Sequence, residues 1–346
     1  MLPWPQVAAT WRQPHSQRVI CLDLNRVVVL KTFERMIGRP HAPFAPATID
    51  PRTVALLAFF CLVWGGAMVA IKVGLSGAPP FSAAGIRFAL ASLTLLLLSA
   101  ARGKLLYLRY GSRRPVLLLG LLLVVQHGLF NLGINLTTAS RASVFLYTQP
   151  VFVAILAHFL IADDRLDRNK LLGIGLSLIG LLVAFAERLQ AHDPRVLIGD
   201  GLVLLSAICW AIQTIFQKDL LAFVEPASLI FYQMMIASPL FFLLSILFEP
   251  ALIITLDGAI LLAFFYQGVI AAGLTFAAFA ALLKRHQASR LSSFIFLAPI
   301  FGVLLGHLLL RDPLTGYLGV GLGLVAVGIF IVNRPRRRSR FTVQSS

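Results

Sequence analysis

Residues 62–72 read Leu62-Val-Trp64-Gly-Gly-Ala-Met-Val-Ala-Ile-Lys72. Further along, residues 208–218 read Ile208-Cys-Trp210-Ala-Ile-Gln-Thr-Ile-Phe-Gln-Lys218, an offset of 146. The same offset places Pro80 on Pro226, Ser82 on Ser228 and Ser92 on Ser238. At an offset of 149, Ala139-Ser140-Arg141 falls on Ala288-Ser289-Arg290, Pro150 on Pro299, Phe152 on Phe301, His158 on His307 and Asp163 on Asp312. After one more gap Gly173, Gly175 and Gly180 meet Gly321, Gly323 and Gly328. Coincident leucines would mean little in an apolar chain. Coincident Trp, His and Pro mark a duplication.

Each copy is too apolar for a soluble domain. The chain of 346 residues is 58% hydrophobic and only 13% charged, against about 25% charged in average globular proteins. Hydrophobic segments are expected near 53–73, 80–100, 116–136, 141–161, 170–187, 198–218, 227–248, 258–282, 288–309 and 315–333. Each is about the length that crosses a bilayer. Five segments fall in each copy, and five is odd, so the second copy enters the membrane from the opposite side. The fold expected is an all-α membrane protein of ten transmembrane helices in two inverted five-helix repeats, a pattern that places transporter sites near the midplane.

Basic residues orient this arrangement. With the N-terminus inside, the inner segments carry 24 Lys+Arg and the outer ones 5, so N-in/C-in is expected from the positive-inside rule. The same rule accounts for the net charge of +16 without a nucleic-acid partner. Residues 1–52 form a proline-rich cytoplasmic tail, 53–187 the first repeat, 198–333 the second, and 334–346 a basic cytoplasmic tail. A start at Met36 would leave a tail of conventional length, which leaves open whether residues 1–35 belong to the mature protein. No apolar core precedes a small-residue cleavage site in the first thirty residues, so no cleavable signal peptide is expected.

The stretch 62–72, the Arg87-Phe88 pair, Ala139-Ser140-Arg141 leading to Pro150, and the glycine-rich fifth and tenth segments resemble the EamA family of the drug/metabolite transporter superfamily. The resemblance covers about 53–333 in two copies. It implies a ten-helix inverted-repeat transporter with a central cavity, in a family that exports amino acids and other metabolites. It is specific for fold and poor for substrate. Family members often carry an acidic residue at the ends of the fourth and ninth helices; here Asp163-Asp164 and Asp312 stand there, read as helix-end features.

Polar residues inside apolar segments mark candidate sites, because a polar face against lipid is expensive. Trp64 and Trp210 sit at matched midplane positions, although membrane Trp favours the interfaces. Gln213, Thr214 and Gln217 follow Trp210 on one helical face. His127, Asn131 and Asn135 form a stripe with Gln126 beside it; Gln267 and Thr275 form another. Tyr147 and Gln149 lie next to Pro150, which frees the carbonyl of Leu146, as Pro299 does that of Ile295. The substrate-binding candidates are therefore Trp64, Gln126, His127, Asn131, Tyr147, Gln149, Trp210, Gln213, Gln217 and Gln267. Lys72 and Arg87 are candidates for anion binding or gating. Core packing and interhelical hydrogen bonding are the competing readings for all of them. His158 and His307 lie towards the segment ends and read as structural.

No Asp or Glu falls in the middle of a segment. A lone organic cation would want one, so neutral, zwitterionic or anionic metabolites are favoured. No Gly-rich loop ends in Gly-Lys-Ser/Thr, and no nucleophile triad or metal-ligand cluster is present. Neither enzyme chemistry, cofactor nor metal is expected. The reading is a secondary transporter of the inner membrane, multi-pass, exporting small polar metabolites such as amino acids by alternating access. A multidrug or organic-cation exporter and a non-transporting membrane sensor are the alternatives. Its partners are a small-molecule substrate and the bilayer. Monomer or weak homodimer is expected, with Gly173 and Ser177 and the spaced pair Gly319 and Gly323 as close-packing faces.

Overall fold

The structure, a computed structural model, describes residues 49–161, 164–186, 193–249, 257–310 and 316–334, without the side chains of 139 and 306–310. The described residues belong to one compact unit, Ala42–Ser346. Most of the N-terminal tail, Asp163, Glu187, Asp312, the His307 side chain and nearly all of the C-terminal tail lie outside them.

The unit is built of helices. The first copy contributes α1 (Pro51–Gly77), α2 (Pro80–Ala101), α3 (Arg113–Leu136), α4 (Ala139–Leu146), α5 (Gln149–Leu160) and α6 (Arg168–Ala184). The second contributes α7 (Pro194–Leu220), α8 (Pro226–Phe248), α9 (Gly258–Phe265), α10 (Thr275–Arg285), α11 (Ala288–Ser293), α12 (Ala298–Leu310) and α13 (Gly316–Asn333). A π-helical segment, Tyr266–Leu274, joins α9 to α10. Among the described residues, nine helical segments are long and apolar enough to cross a membrane. α6, at 17 residues, is slightly shorter.

Local sequence explains where helices begin and break. Pro51 and Pro194 open α1 and α7 behind the capping carboxylates Asp50 and Asp193. Proline at the first turn forfeits only an N–H that has no helical partner anyway. The Asp50 carboxyl accepts from the Thr53 amide at 2.8 Å, and hydrogen bonding to the Thr53 hydroxyl and amide lowers its pKa from the ordinary carboxylate value. Glu249, beyond the end of α8, receives the Phe81 and Ser82 amides at 2.6 and 3.2 Å, capping α2 from the other repeat. Pro150 and Pro299 act alike. The first separates α4 from α5, and the second follows a tight 3-10 turn, Phe294–Leu297.

Packing respects the duplication. Exchanging the copies turns the α1–α12 contact into α7–α5, α3–α7 into the contact of the π segment with α1, and α3–α8 into that of the same segment with α2. The α2–α8 and α6–α13 contacts map onto themselves. The α6–α13 seam is a close one. A Cβ on Gly173 would lie 2.5 Å from the Gly328 carbonyl oxygen, and one on Gly180 would lie 2.8 Å from that of Gly321. Only glycine lets these backbones meet. Gly173 and Ser177 do lie in this seam, against Gly328, whereas Gly319 and Gly323 take no part in it: both are exposed and would meet nothing within 4 Å in this chain.

Two buried polar clusters tie the copies together. Arg141 at the start of α4 pairs with Asp200 of α7, which also accepts from Thr137 Oγ1 at 2.8 Å. Just past the other end of the α4–α5 segment, Asp164 pairs with Lys170 of α6 at 2.6 Å. It also accepts from the Ser289 amide at 2.9 Å and from the Ser289 hydroxyl. Arg141 is thus a buried helical residue.

Candidate functional site

A cavity lies among α1, α2, α3, α4, α7, α8, the π segment and α10. Residues of both copies line it, and the matched tryptophans form one wall. The Trp64 and Trp210 rings meet edge to face with centroids 6.4 Å apart. Trp64 is fixed on every side. Its Nε1–H donates to Thr275 Oγ1 at 2.8 Å and more weakly to the Ala271 carbonyl at 3.3 Å. Phe276 and Phe279 pack against it at 5.9 and 5.3 Å. Trp210 is only half-buried and meets Tyr147 at 6.5 Å.

Carbonyls of α1 take additional donors along the cavity. Tyr266 Oη–H donates to the Val63 oxygen at 2.8 Å, Tyr147 Oη–H to that of Trp64 at 3.2 Å, and Gln267 Nε2–H to that of Ala70 at 2.8 Å. A carbonyl oxygen has a second lone pair for such a bond. Tyr266 and Gln267 sit at the start of the π segment, and segments of this kind recur at functional sites.

The polar wall is built of amides and one guanidinium. Gln213 and Gln217 of α7 both donate to Gln233 Oε1 of α8, each at 3.0 Å. Gln126 Nε2–H donates to Ser206 Oγ at 3.2 Å. His127 stands edge-on to Phe88 at 4.8 Å, with Nδ1 3.3 Å from the Leu123 carbonyl oxygen. The Arg87 guanidinium lies 4.8 Å from the Phe88 ring centre. No Asp or Glu is among the described residues lining the cavity.

Of the candidate site residues, Trp64, Arg87, Gln126, His127, Tyr147, Trp210, Gln213, Gln217 and Gln267 line this cavity. Three do not. Asn131 points to the start of α2, donating to the Pro80 carbonyl at 2.9 Å. Gln149 is fully buried and donates to Thr214 Oγ1 at 3.1 Å. The Lys72 ammonium donates to the carbonyls of Ile134 and Thr137 at 2.9 and 3.2 Å, closing the C-terminus of α3. Its match, Lys218, does the same for α10 through Leu283 and His286 at 2.7 and 2.8 Å. A cation at a helix C-terminus offsets the unpaired carbonyls and the dipole there. Away from the cavity, His158 Nδ1 accepts from the Leu166 amide at 3.1 Å. Gln233, Phe88, Phe276 and Phe279 were not among the candidates. Gln233 was legible as the repeat mate of Arg87. The phenylalanines look like any others in a chain with 26 of them.

Comparison with known proteins fits this arrangement. The EamA-like transporter family matches residues 52–186 and again 197–334. The chain belongs to the EamA-like transporter family. Among its relatives is the "Probable amino-acid metabolite efflux pump" of Salmonella typhimurium, 32% identical over 286 residues, 78% of this chain and 91% of that protein. An "Uncharacterized transporter" of Archaeoglobus fulgidus is 32% identical over 285 residues, 81% of this chain and 98% of the relative. A solved crystal structure at 20% identity superposes with a TM-score of 0.70 over 82% of this chain and 96% of that one, a likeness of fold. This EamA-like chain is therefore a multi-pass membrane protein of a transporter family.

Proposed function

We propose that this EamA-like protein is a secondary transporter of the inner membrane that exports small polar metabolites such as amino acids. The observation that carries the reading is the cavity itself, lined from both copies and walled by the paired Trp64 and Trp210. Aromatic faces supply apolar contact while amides orient a polar group, the usual division in a small-molecule site. The absence of a carboxylate from the described lining disfavours organic cations, and the name of the Salmonella relative agrees.

In this reading ten helices cross the bilayer, N-in and C-in. α6 is the tenth; its 17 residues reach ~26 Å at 1.5 Å each, against ~30 Å of hydrocarbon. The copies are inverted, and exchange between their packing arrangements exposes the cavity to each side in turn. Support comes from the mapping of packed pairs onto packed pairs. The test is flux: purified protein in proteoliposomes should move labelled amino acids faster than empty vesicles. Trp64→Ala or Trp210→Ala should cut that flux by at least tenfold at equal amounts of inserted protein. Wild-type flux in both variants would place the site elsewhere.

A further inference from the structure

Arg87 is the one cationic side chain among the described residues lining the cavity, apart from the titratable His127. It is 5% exposed, and its Nε and Nη2 are buried with no acceptor. Neither buried ion pair of the fold involves it. The ring of Phe88 covers part of it and accepts no proton from it. A buried guanidinium without a counter-charge is costly to keep, so the position asks for an anion that the protein does not supply. Gln233, at the equivalent place in the other copy, points the same way. Its Oε1 is saturated by Gln213 and Gln217, which fixes the amide and leaves its buried Nε2 donor without a partner. In the same lining Gln126 Oε1 is a buried acceptor that lacks a donor. The unpaired groups are thus a forked cation, a neutral donor and an acceptor.

We infer that the ligand of this cavity carries a carboxylate, which binds Arg87 and takes a further hydrogen bond from Gln233. This rests on the transport reading and specifies its substrate. The planar guanidinium matches a carboxylate with two parallel N–H···O bonds, which a lysine cannot reproduce. Gln126 Oε1 then receives a hydroxyl or amine proton of the same ligand, and the aromatic wall takes its apolar portion. The carboxylate could belong to a zwitterionic amino acid or to a simple organic acid.

The experiment uses full-length protein in proteoliposomes loaded with an equimolar mixture of phenylalanine, leucine and threonine, each with its deaminated acid and its carboxamide. Efflux is followed by mass spectrometry. Compounds bearing a free carboxylate should leave and carboxamides should not. Efflux of both acids and amino acids identifies the carboxylate as sufficient; efflux of amino acids alone shows that the amine is read as well. Arg87→Gln should lower efflux on the order of 100-fold, the usual scale for removing one partner of a buried charge pair. Arg87→Lys should lower it about tenfold, keeping the charge but losing the fork. In ligand-free protein Arg87→Gln should melt no lower than wild type, because it removes an unpaired buried charge. Added substrate should raise the melting temperature of wild type only. Carboxamide efflux at the rate of the acids, or unchanged efflux in Arg87→Gln, overturns the assignment and leaves transport standing. A much lower melting temperature, with efflux lost in proportion to folded protein, would make Arg87 a structural residue and also overturn it. No protein-dependent efflux of any compound overturns the transport reading and the inference with it.

Discussion

Trp64 shows how a residue becomes a fixed wall. Its indole proton is held by Thr275 Oγ1, which itself donates to the Ala271 carbonyl at 2.6 Å. Thr275→Val removes that acceptor at little change in shape. It should lower stability by about 1 kcal/mol, the net worth of such a bond, and weaken the apparent affinity for substrate. Thermal unfolding and concentration-dependent flux read the two effects. Asn131→Leu should reduce folded yield but leave affinity in the surviving protein unchanged, because Asn131 serves Pro80 and not the cavity. Sequence alone could not separate these two residues. Both are polar and both lie on inward faces, but a polar residue inside an apolar segment can answer either a ligand or a neighbouring backbone carbonyl. Lys72 was ambiguous for the same reason, since a cation near a helix end suits both a cavity mouth and a neighbour's C-terminus.

At the scale of elements, periodicity found the helices but not which glycine face each would bury. The pair Gly319 and Gly323 has the spacing of a tight seam and faces outward. Gly321 and Gly328, seven apart, make the actual seam against Gly180 and Gly173. The repeat held the clue. Gly173 and Gly180 align with Gly321 and Gly328, so the same two positions in each copy meet in crossed order. Gly175 and Gly323, which also align, both lack a close neighbour. Gly173→Leu or Gly328→Leu should therefore cost at least 1–3 kcal/mol through overpacking and collapse the yield of folded protein. Gly319→Leu plus Gly323→Leu should leave both yield and melting temperature near wild type. Size-exclusion profiles in detergent distinguish the outcomes. The π segment was not legible at all, because a five-residue hydrogen-bond step leaves no mark on composition.

At the scale of the molecule, the two ion-pair clusters sit at opposite ends of the α4–α5 segment and join opposite copies. Losing one partner of a buried pair strands the other, at a cost of about 3–5 kcal/mol. Asp200→Asn should accordingly destabilise the protein severely. Arg141→Met with Asp200→Leu should recover much of the loss, as read by melting temperature. The proposed N-in/C-in orientation rests on charge: a cytoplasm-active reporter fused after Ser346 should work and a periplasm-active one should not. The reverse would require the 24-to-5 bias of basic residues to be overridden.

The two copies are separate in sequence but interleaved in space. α1 packs on α12, α2 on α8, α3 on α7 and α6 on α13, so the closest partners of the first copy all lie in the second. On the ribosome this becomes a problem of timing. When residue 186 has been made, the first helices are already in the bilayer with their glycine seams and polar faces unmet, and they stay so until α13 is synthesised. A nascent chain stopped after Ala186 should be an unassembled client of the membrane quality-control machinery, short-lived in pulse-chase and rescued when residues 193–346 are expressed alongside it.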